Sequence, residues 1–482
     1  MGATIGRMLR NGLAAGAAVM LAGCGTIGAA YDNLFGTGPA RGTPGFVQGF
    51  LGGVAVEEPR AALVGREILA AGGSAADAAV AIGFALGVTL PSRASLAGGG
   101  VCLAYRAERG QALAATFLPR APARLDPGSD RPAALPGTPR GLYALHARLG
   151  RLPFERVIAP AEQLARFGTE TSRALARDLA VVAGPLFADP QARVLFARAD
   201  GAPLAEGDRL VQPELGNLIG LIRSQGVGDF YQGGLARRLA DATAAAGGAL
   251  PAEELRATLP SLTATLRASL GNDTLHVAPV GGSIGAAVAL RRLAARASEA
   301  EAEAAALAAA AASRAGADPA SLLDGAALAG GTLPPVLGAT TGFVVADREG
   351  MAVACALTMN NLFGTGRIAP GTGLVLAAAP GVGRVPPALP TVLLVANDNI
   401  RAFRAAAAAS GGSGAPIALA LAVQRAIGGA TAAQAVAAPR AGEAERSGRV
   451  TLLSCPGYLP RAPATCTWAA DPRGHGLAIG AD

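Results

Sequence analysis

Apolar and polar positions along this chain fall into a few clear runs. Two β-rich stretches, residues 337–347 and 351–366, flank a charged turn, Arg348-Glu349-Gly350. This predicts a hairpin with adjacent threonines, Thr340 and Thr341, at the start of its first strand. Upstream, residues 60–69 read as a helix that stops at Gly72-Gly73. Ser74 then caps a second helix over 75–86, with Asp77 in its first turn. That second run is apolar nearly all round, so it is expected to be buried. A triple glycine, Gly98-Gly99-Gly100, precedes a strand at 102–105, and glycine there lets backbone pass close to a neighbour. Residues 293–332 are Ala-rich with Glu299, Glu301 and Glu303, and predict a helix followed by a mobile loop. Beyond Gly366 the pattern is strand, turn, strand, and Ser410-Gly411-Gly412-Ser413-Gly414 then leads into an Ala/Leu/Ile helix over 416–427.

Composition narrows the choices. The 482 residues are 51% hydrophobic, 16% charged and 4% aromatic, which is globular and argues against wholesale disorder. The formal net charge of +7 comes from 41 arginines spread along the chain, without the basic stripe or recognisable module of a nucleic-acid binder. Lysine is absent, which excludes a Walker phosphate loop and Schiff-base chemistry. His146, His276 and His475 are scattered without a surrounding motif, and no Cys/His spacing suggests a zinc site. Neither a metal nor a cofactor is expected.

The N-terminus has the form of an export signal. Arg7 and Arg10 precede an apolar run over 12–22, too short to span a bilayer. Leu21-Ala22-Gly23-Cys24 is similar to a bacterial lipobox, which implies cleavage after residue 23 and lipidation of Cys24. Several acyl chains on one cysteine anchor stably where a single chain does not. Residues 24–50, rich in Gly and Pro, read as a tether. A periplasm-facing lipoprotein of the bacterial envelope follows, with Gly25 permitting an outer-membrane destination. In that oxidising space a disulfide between Cys455 and Cys466, which bracket a turn-rich segment, is expected. Cys102 and Cys355 lie in apolar strand-like runs and are expected as buried free thiols.

The hairpin together with Thr358-Met359-Asn360 and Phe363-Gly364-Thr365-Gly366 resembles the start of the small subunit of the γ-glutamyltransferase (γ-glutamyl transpeptidase) family. The likeness extends through residues 72–79, the triple glycine, Pro136-Gly137-Thr138-Pro139, Gly150-Arg151-Leu152-Pro153-Phe154, Glu206-Gly207-Asp208, Asp229-Phe230-Tyr231-Gln232-Gly233 and Ala469-Ala470-Asp471-Pro472, and so covers residue 50 to the end. It implies an α+β fold, a four-layer αββα sandwich of the N-terminal nucleophile hydrolase type. It divides the chain into a large-subunit-like region, 51–339, with an Ala-rich linker at 293–332, and a small-subunit-like region, 340–482. The precursor is expected to cut itself at Ala339-Thr340, leaving two fragments that stay partners. A threonine hydroxyl needs a base, and the freed α-amine of Thr340 supplies one without His or Lys.

Carried over residue by residue, the resemblance implies that Thr340 is the nucleophile and that Thr358 orients it. Asn360 would bind the substrate's amino-acid head group, and Gly411 and Gly412 would offer N–H groups to the oxyanion. The head-group pocket departs from the family pattern. The family's arginine after the strand Phe is Leu118 here, with Arg120 two residues on as a displaced substitute. Its Gln and Asp align with Ala379 and Val382, its paired serines with Pro386 and Pro387, and the His after Thr341 is Gly342. The expected substrate is a small-molecule amide, γ-glutamyl or glutathione-like by default. The rival expectation is a catalytically inactive envelope binding protein that keeps the fold.

Overall fold

The computed structural model describes residues 51–126, 128–325 and 339–481. The signal segment, the tether and Cys24 lie outside the described residues, as does the loop expected just before Ala339. In chain order the main strands are β1 (Gly52–Val56), β2 (Gly99–Arg106), β3 (Gln111–Phe117), β4 (Ser261–Ala264), β5 (Leu266–Leu270) and β6 (Asp273–Val277). They continue with β7 (Thr340–Asp347), β8 (Met351–Thr358), β9 (Thr391–Asn397), β10 (Ala402–Ser410), β11 (Arg449–Leu459), β12 (Thr467–Ala470) and β13 (Leu477–Ala481).

These strands build two antiparallel sheets, ordered β13-β1-β7-β8-β2-β3-β4 and β12-β11-β10-β9-β6-β5. Side chains alternate across a strand, so each strand serves two cores. In β7, Phe343 and Val345 join a cluster with the helices Pro59–Ala70 and Ala75–Thr89, while Val344 and Ala346 join Ala406, Ala408 and Leu394 between the sheets. A third cluster lies under the helices Gly281–Ala294 and Gly414–Ile427. Three apolar layers between four layers of elements make an α+β, αββα sandwich.

Local chemistry explains several joints. The helix Ala75–Thr89 is buried along its whole length, and Ser74 and Asp77 form a reciprocal capping box at its start. A further acceptor at that end comes from the hairpin: Asp347 Oδ2 accepts from Ala75 N at 2.9 Å, while its Oδ1 accepts from Glu349 N and Met351 N within the turn. Burial pushes the Asp347 carboxyl up to about 6. Gly350, at φ +82°, closes the hairpin in the left-handed region that suits glycine.

The Ala-rich run is more than a linker. Glu299–Arg314 is a helix with a Ser298/Glu301 capping box, and Ala302, Ala306 and Ala309 are fully buried. It packs so tightly on Gly281–Ala294 that a Cβ on Gly285 would stand 2.6 Å from the Ala306 carbonyl. Small side chains are what permit that approach.

The free-thiol expectation for Cys102 and Cys355 is corrected. The two are joined in a disulfide, because β2 and β8 pair with Cys355 directly opposite Cys102 at a Cα separation of 4.1 Å. A separation of 253 residues hid that neighbourhood from the sequence. Cys455 and Cys466 also form a disulfide.

Candidate active site

Thr340 opens β7, and Thr358 closes β8 directly opposite it in the antiparallel register. Both belong to the set of positions that faces the second sheet, since Ala354, Ala356, Val344 and Ala346 on the same faces pack there. Both threonines are buried, Thr340 with 4% of its surface exposed. Thr358 Oγ1 accepts from Asn360 N at 3.0 Å. Ala339, on the other side of the expected scissile bond, is pinned by Met359 N donating to its carbonyl at 3.1 Å. The triple glycine fits against this end: a Cβ on Gly98 would come within 2.7 Å of the Thr358 carbonyl.

Position 342 explains its own residue. A Cβ there would already lie 3.1 Å from the Ala408 Cβ, so the second sheet leaves no room for a larger side chain. Thr341 points the other way, and its Oγ1 is buried with no hydrogen-bond partner among the described residues.

With Gly342 against Ala408 and Ala409, the chain end beyond β10 is Ser410-Gly411-Gly412, at the same end of the sandwich as Thr340. Gly411 (φ +109°) and Gly412 (φ +59°) turn the chain into the helix Gly414–Ile427. Their carbonyls accept from Gly414 N and Ala415 N. A Cβ on Gly411 would collide with the Ser447 carbonyl at 2.0 Å, so this turn admits only glycine.

Sequence reasoning missed Glu57. It follows β1 with its N–H donating to the Gly342 carbonyl at 3.4 Å. Its side chain accepts from Ser410 Oγ at 2.9 Å, next to Gly411. Arg93 NH1 stands 3.9 Å from the same carboxyl, and Arg93 is itself held by two 2.7 Å hydrogen bonds to Asp178. Burial pushes the Glu57 carboxyl up to about 7, against the pull of Arg93 and of the Ser410 hydrogen bond. Its Oε1 is buried without a hydrogen-bond partner among the described residues. The signal in the sequence was an acidic pair, Glu57-Glu58, ending an otherwise apolar strand.

The head-group residues fare differently. Asn360 sits at φ +61°, and its side chain ties three segments together. Nδ2 donates to the Ala378 carbonyl at 2.9 Å and the Pro119 carbonyl at 3.5 Å, while Oδ1 accepts from Ala388 N at 3.4 Å. These bonds occupy both Nδ2 hydrogens and one of the two Oδ1 lone pairs. Arg120 is exposed: β3 ends at Phe117, and residue 120 makes a bridge with Leu135 instead of continuing the ladder. It is therefore not placed by the strand alternation that would have set it beside position 118. Ala379 is buried and Leu118 packs toward the inter-sheet core.

The arrangement is thus a buried threonine pair at one end of a sandwich, beside a glycine turn and a protonatable carboxyl. The family model described as Gamma-glutamyltranspeptidase matches residues 61–327, more than half of the chain. The chain belongs to that family. Among curated relatives, Glutathione hydrolase proenzyme of Escherichia coli (strain K12) is 29% identical over 400 residues, 69% of this chain and 68% of that protein. Glutathione hydrolase 3 of Arabidopsis thaliana is 30% identical over 247 residues, 48% of this chain and 39% of that protein. Among solved structures, cephalosporin acylase from Bacillus halodurans superposes with a TM-score of 0.73 at 18% identity, covering 92% of this chain and 98% of that one. That likeness is one of fold. The family is one of enzymes, so the αββα sandwich described above is the scaffold of an amidohydrolase-type catalyst.

Proposed function

We propose that this chain is a threonine-nucleophile amidohydrolase/acyltransferase that cuts itself at Ala339-Thr340 and then acts on γ-glutamyl, glutathione-like amides or a related small amide. The observation that carries the reading is the pairing of Thr340 with Thr358 in register at the buried end where the Gly411-Gly412 turn also lies. In the uncut chain the Thr340 nitrogen is an amide and cannot take a proton. Release of the α-amine supplies the base: it takes the Oγ proton as Oγ bonds to the substrate carbonyl carbon, the amide C–N bond breaks, the departing amine takes up that proton, and an ester is left on Thr340. Water or an amine acceptor resolves that ester. Thr358 orients the nucleophile, and Gly411 and Gly412 are the assigned oxyanion donors, each such donor being worth about 10²–10³ in rate.

The acyl group is read differently from the default. Leu118, Ala379 and Val382 offer no charge to an amino-acid head group, and Asn360 is engaged with backbone. Hydrogen bonds to charged groups contribute about 1.5–3 kcal/mol each, so losing several weakens γ-glutamyl binding by orders of magnitude. The engaged Asn360 also favours a second reading, a catalytically inactive binding lipoprotein. In either case we place the protein at the periplasmic side of the bacterial envelope, outer membrane, anchored through Cys24. Its partners are the membrane and its own two fragments.

The test is turnover of γ-glutamyl p-nitroanilide beside the glutaryl analogue, which lacks the α-amino group. The proposal expects hydrolysis of at least one, lost in Thr340→Ala. Equal rates in the parent and Thr340→Ala would refute it.

A further inference from the structure

We propose that Thr265, His276 and Asp398 form a second acyl-transfer centre, separate from Thr340, that hydrolyses small esters carrying a carboxylate. The three residues have no motif in common along the chain. The fold brings them together at the open edge of the sandwich. Thr265 lies in the one-residue step from β4, in the first sheet, to β5, in the second. His276 is on β6, whose register with β5 sets it opposite Arg267, and Asp398 directly follows β9.

Thr265 Oγ1 is 2.9 Å from His276 Nδ1, and His276 Nε2 is 3.2 Å from Asp398 Oδ1. Arg267 completes the line by donating to Asp398 Oδ2 at 2.5 Å. This is a nucleophile held by a base that is oriented by a carboxylate, an arrangement recognised by geometry rather than by chain order. Satisfying Asp398 from both sides fixes the tautomer: Nε2 carries the proton, and Nδ1 accepts from the threonine hydroxyl. His276 is buried, and that burial holds its imidazole below the usual range, so the ring is a neutral base. The Tyr105 ring packs against it with centroids 5.7 Å apart.

All three residues line one cavity of about 430 Å³, which none of Thr340, Thr358, Asn360, Gly411 and Gly412 lines. Arg106, Arg148 and Arg267 line it too, against Asp398 as the one carboxylate in its wall, and Asp398 is already paired with Arg267. Arg106 reaches Glu108 at 3.7 Å, so among the described residues Arg148 is the lining arginine without a carboxylate partner, and its charge selects an acyl group with an anionic end. In the reaction, Thr265 Oγ forms a bond to the ester carbonyl carbon and its proton passes to His276 Nδ1. The C–O bond to the leaving group breaks, and His276 returns the proton to the departing alkoxide. Water then attacks the acyl-threonine carbonyl and gives a proton to His276, the bond from Oγ to the acyl carbon breaks, and His276 returns the proton to Thr265 Oγ as the carboxylic acid leaves.

The experiment uses the full chain with Thr340→Ala, so that the first site forms no acyl-enzyme, and mono-p-nitrophenyl glutarate as probe. The expected result is saturable hydrolysis that falls about 10²-fold or more in Thr265→Val and in His276→Gln, in line with loss of nucleophile or base. Thr265→Ser, which keeps the hydroxyl, retains it. Because His276→Gln removes a ring packed against Tyr105, the decisive second reading is mass spectrometry of the quenched reaction, with a glutaryl adduct expected on the peptide that contains Thr265. No saturable hydrolysis in the Thr340→Ala chain, equal rates in Thr265→Val, or no adduct on that peptide would each overturn the proposal. Success or failure of self-cleavage at Thr340 bears on neither arm.

Discussion

Replacing Glu57 by Gln should change how the protein's stability responds to pH, by an amount the structure predicts. Glu57 is buried, accepts from Ser410, and has its carboxyl pushed from 4.5 up to about 7. Below pH 4.5 the group is protonated in folded and unfolded chains alike. Between 4.5 and about 7 the folded chain keeps a proton that the unfolded chain has released, so stability falls as pH rises. About one pH unit above 7 the loss is nearly complete. At 1.36 kcal/mol per pH unit the full swing is about 3 kcal/mol. Asp347 and Glu58 are also pushed up by burial and contribute a slope of the same sign, but both remain in Glu57→Gln. The charged groups acting on Glu57, Arg93 and Asp471, also remain. The difference between the two proteins therefore isolates Glu57, and Gln is neutral throughout and can still accept from Ser410. Urea unfolding at pH 5 and pH 8 is the assay. Part of the swing is already spent at pH 5, so the parent should lose about 2.5 kcal/mol more than the variant between those values. A parent-minus-variant difference that is the same at both pH values would refute the reasoning, because it would mean that Glu57 does not titrate differently in the folded chain.

Three further outcomes follow from the same geometry. Gly411→Ala should both destabilise and slow turnover by about 10²–10³, since its Cβ meets the Ser447 carbonyl at 2.0 Å and the turn that carries the oxyanion donors must move; unfolding midpoints and kcat check it together. Asn360→Ala should destabilise by roughly 2–3 kcal/mol, the sum of lost hydrogen bonds and a left-handed backbone that alanine disfavours. A head-group ligand would instead show as a raised KM with an unchanged unfolding midpoint. Replacing Cys102 and Cys355 together by Ala should lower stability by about 2–4 kcal/mol, and reductant should lower the parent toward the variant.

Much of this fold is written locally. The hairpin around Gly350, the capping box of Ser74 and Asp77, and the turn at Gly411-Gly412 each depend on residues a few positions apart. Their side chains announce the backbone they need. What escaped the sequence depends on pairs that only the assembled sheets create. Cys102 meets Cys355 because two strands pair, and Glu57 meets Ser410 across 353 residues because one sheet stacks on the other. His276 lacks a motif along the chain yet stands between Thr265 and Asp398 once β5, β6 and β9 are aligned. Asn360 shows the opposite failure. Its position in the string was legible, but its engagement with the Ala378, Pro119 and Ala388 backbones is a property of packing. The same holds for Arg120, whose displacement follows from β3 ending at Phe117.

The central claim is that Thr340 becomes an N-terminal nucleophile, and it is tested most directly by intact mass and N-terminal sequencing of the purified mature protein. The account predicts two fragments, the smaller beginning Thr340-Thr341-Gly342, and a single uncut chain in Thr340→Ala. An uncut parent chain would contradict it, because Thr340 would then never gain the amine that makes its hydroxyl reactive.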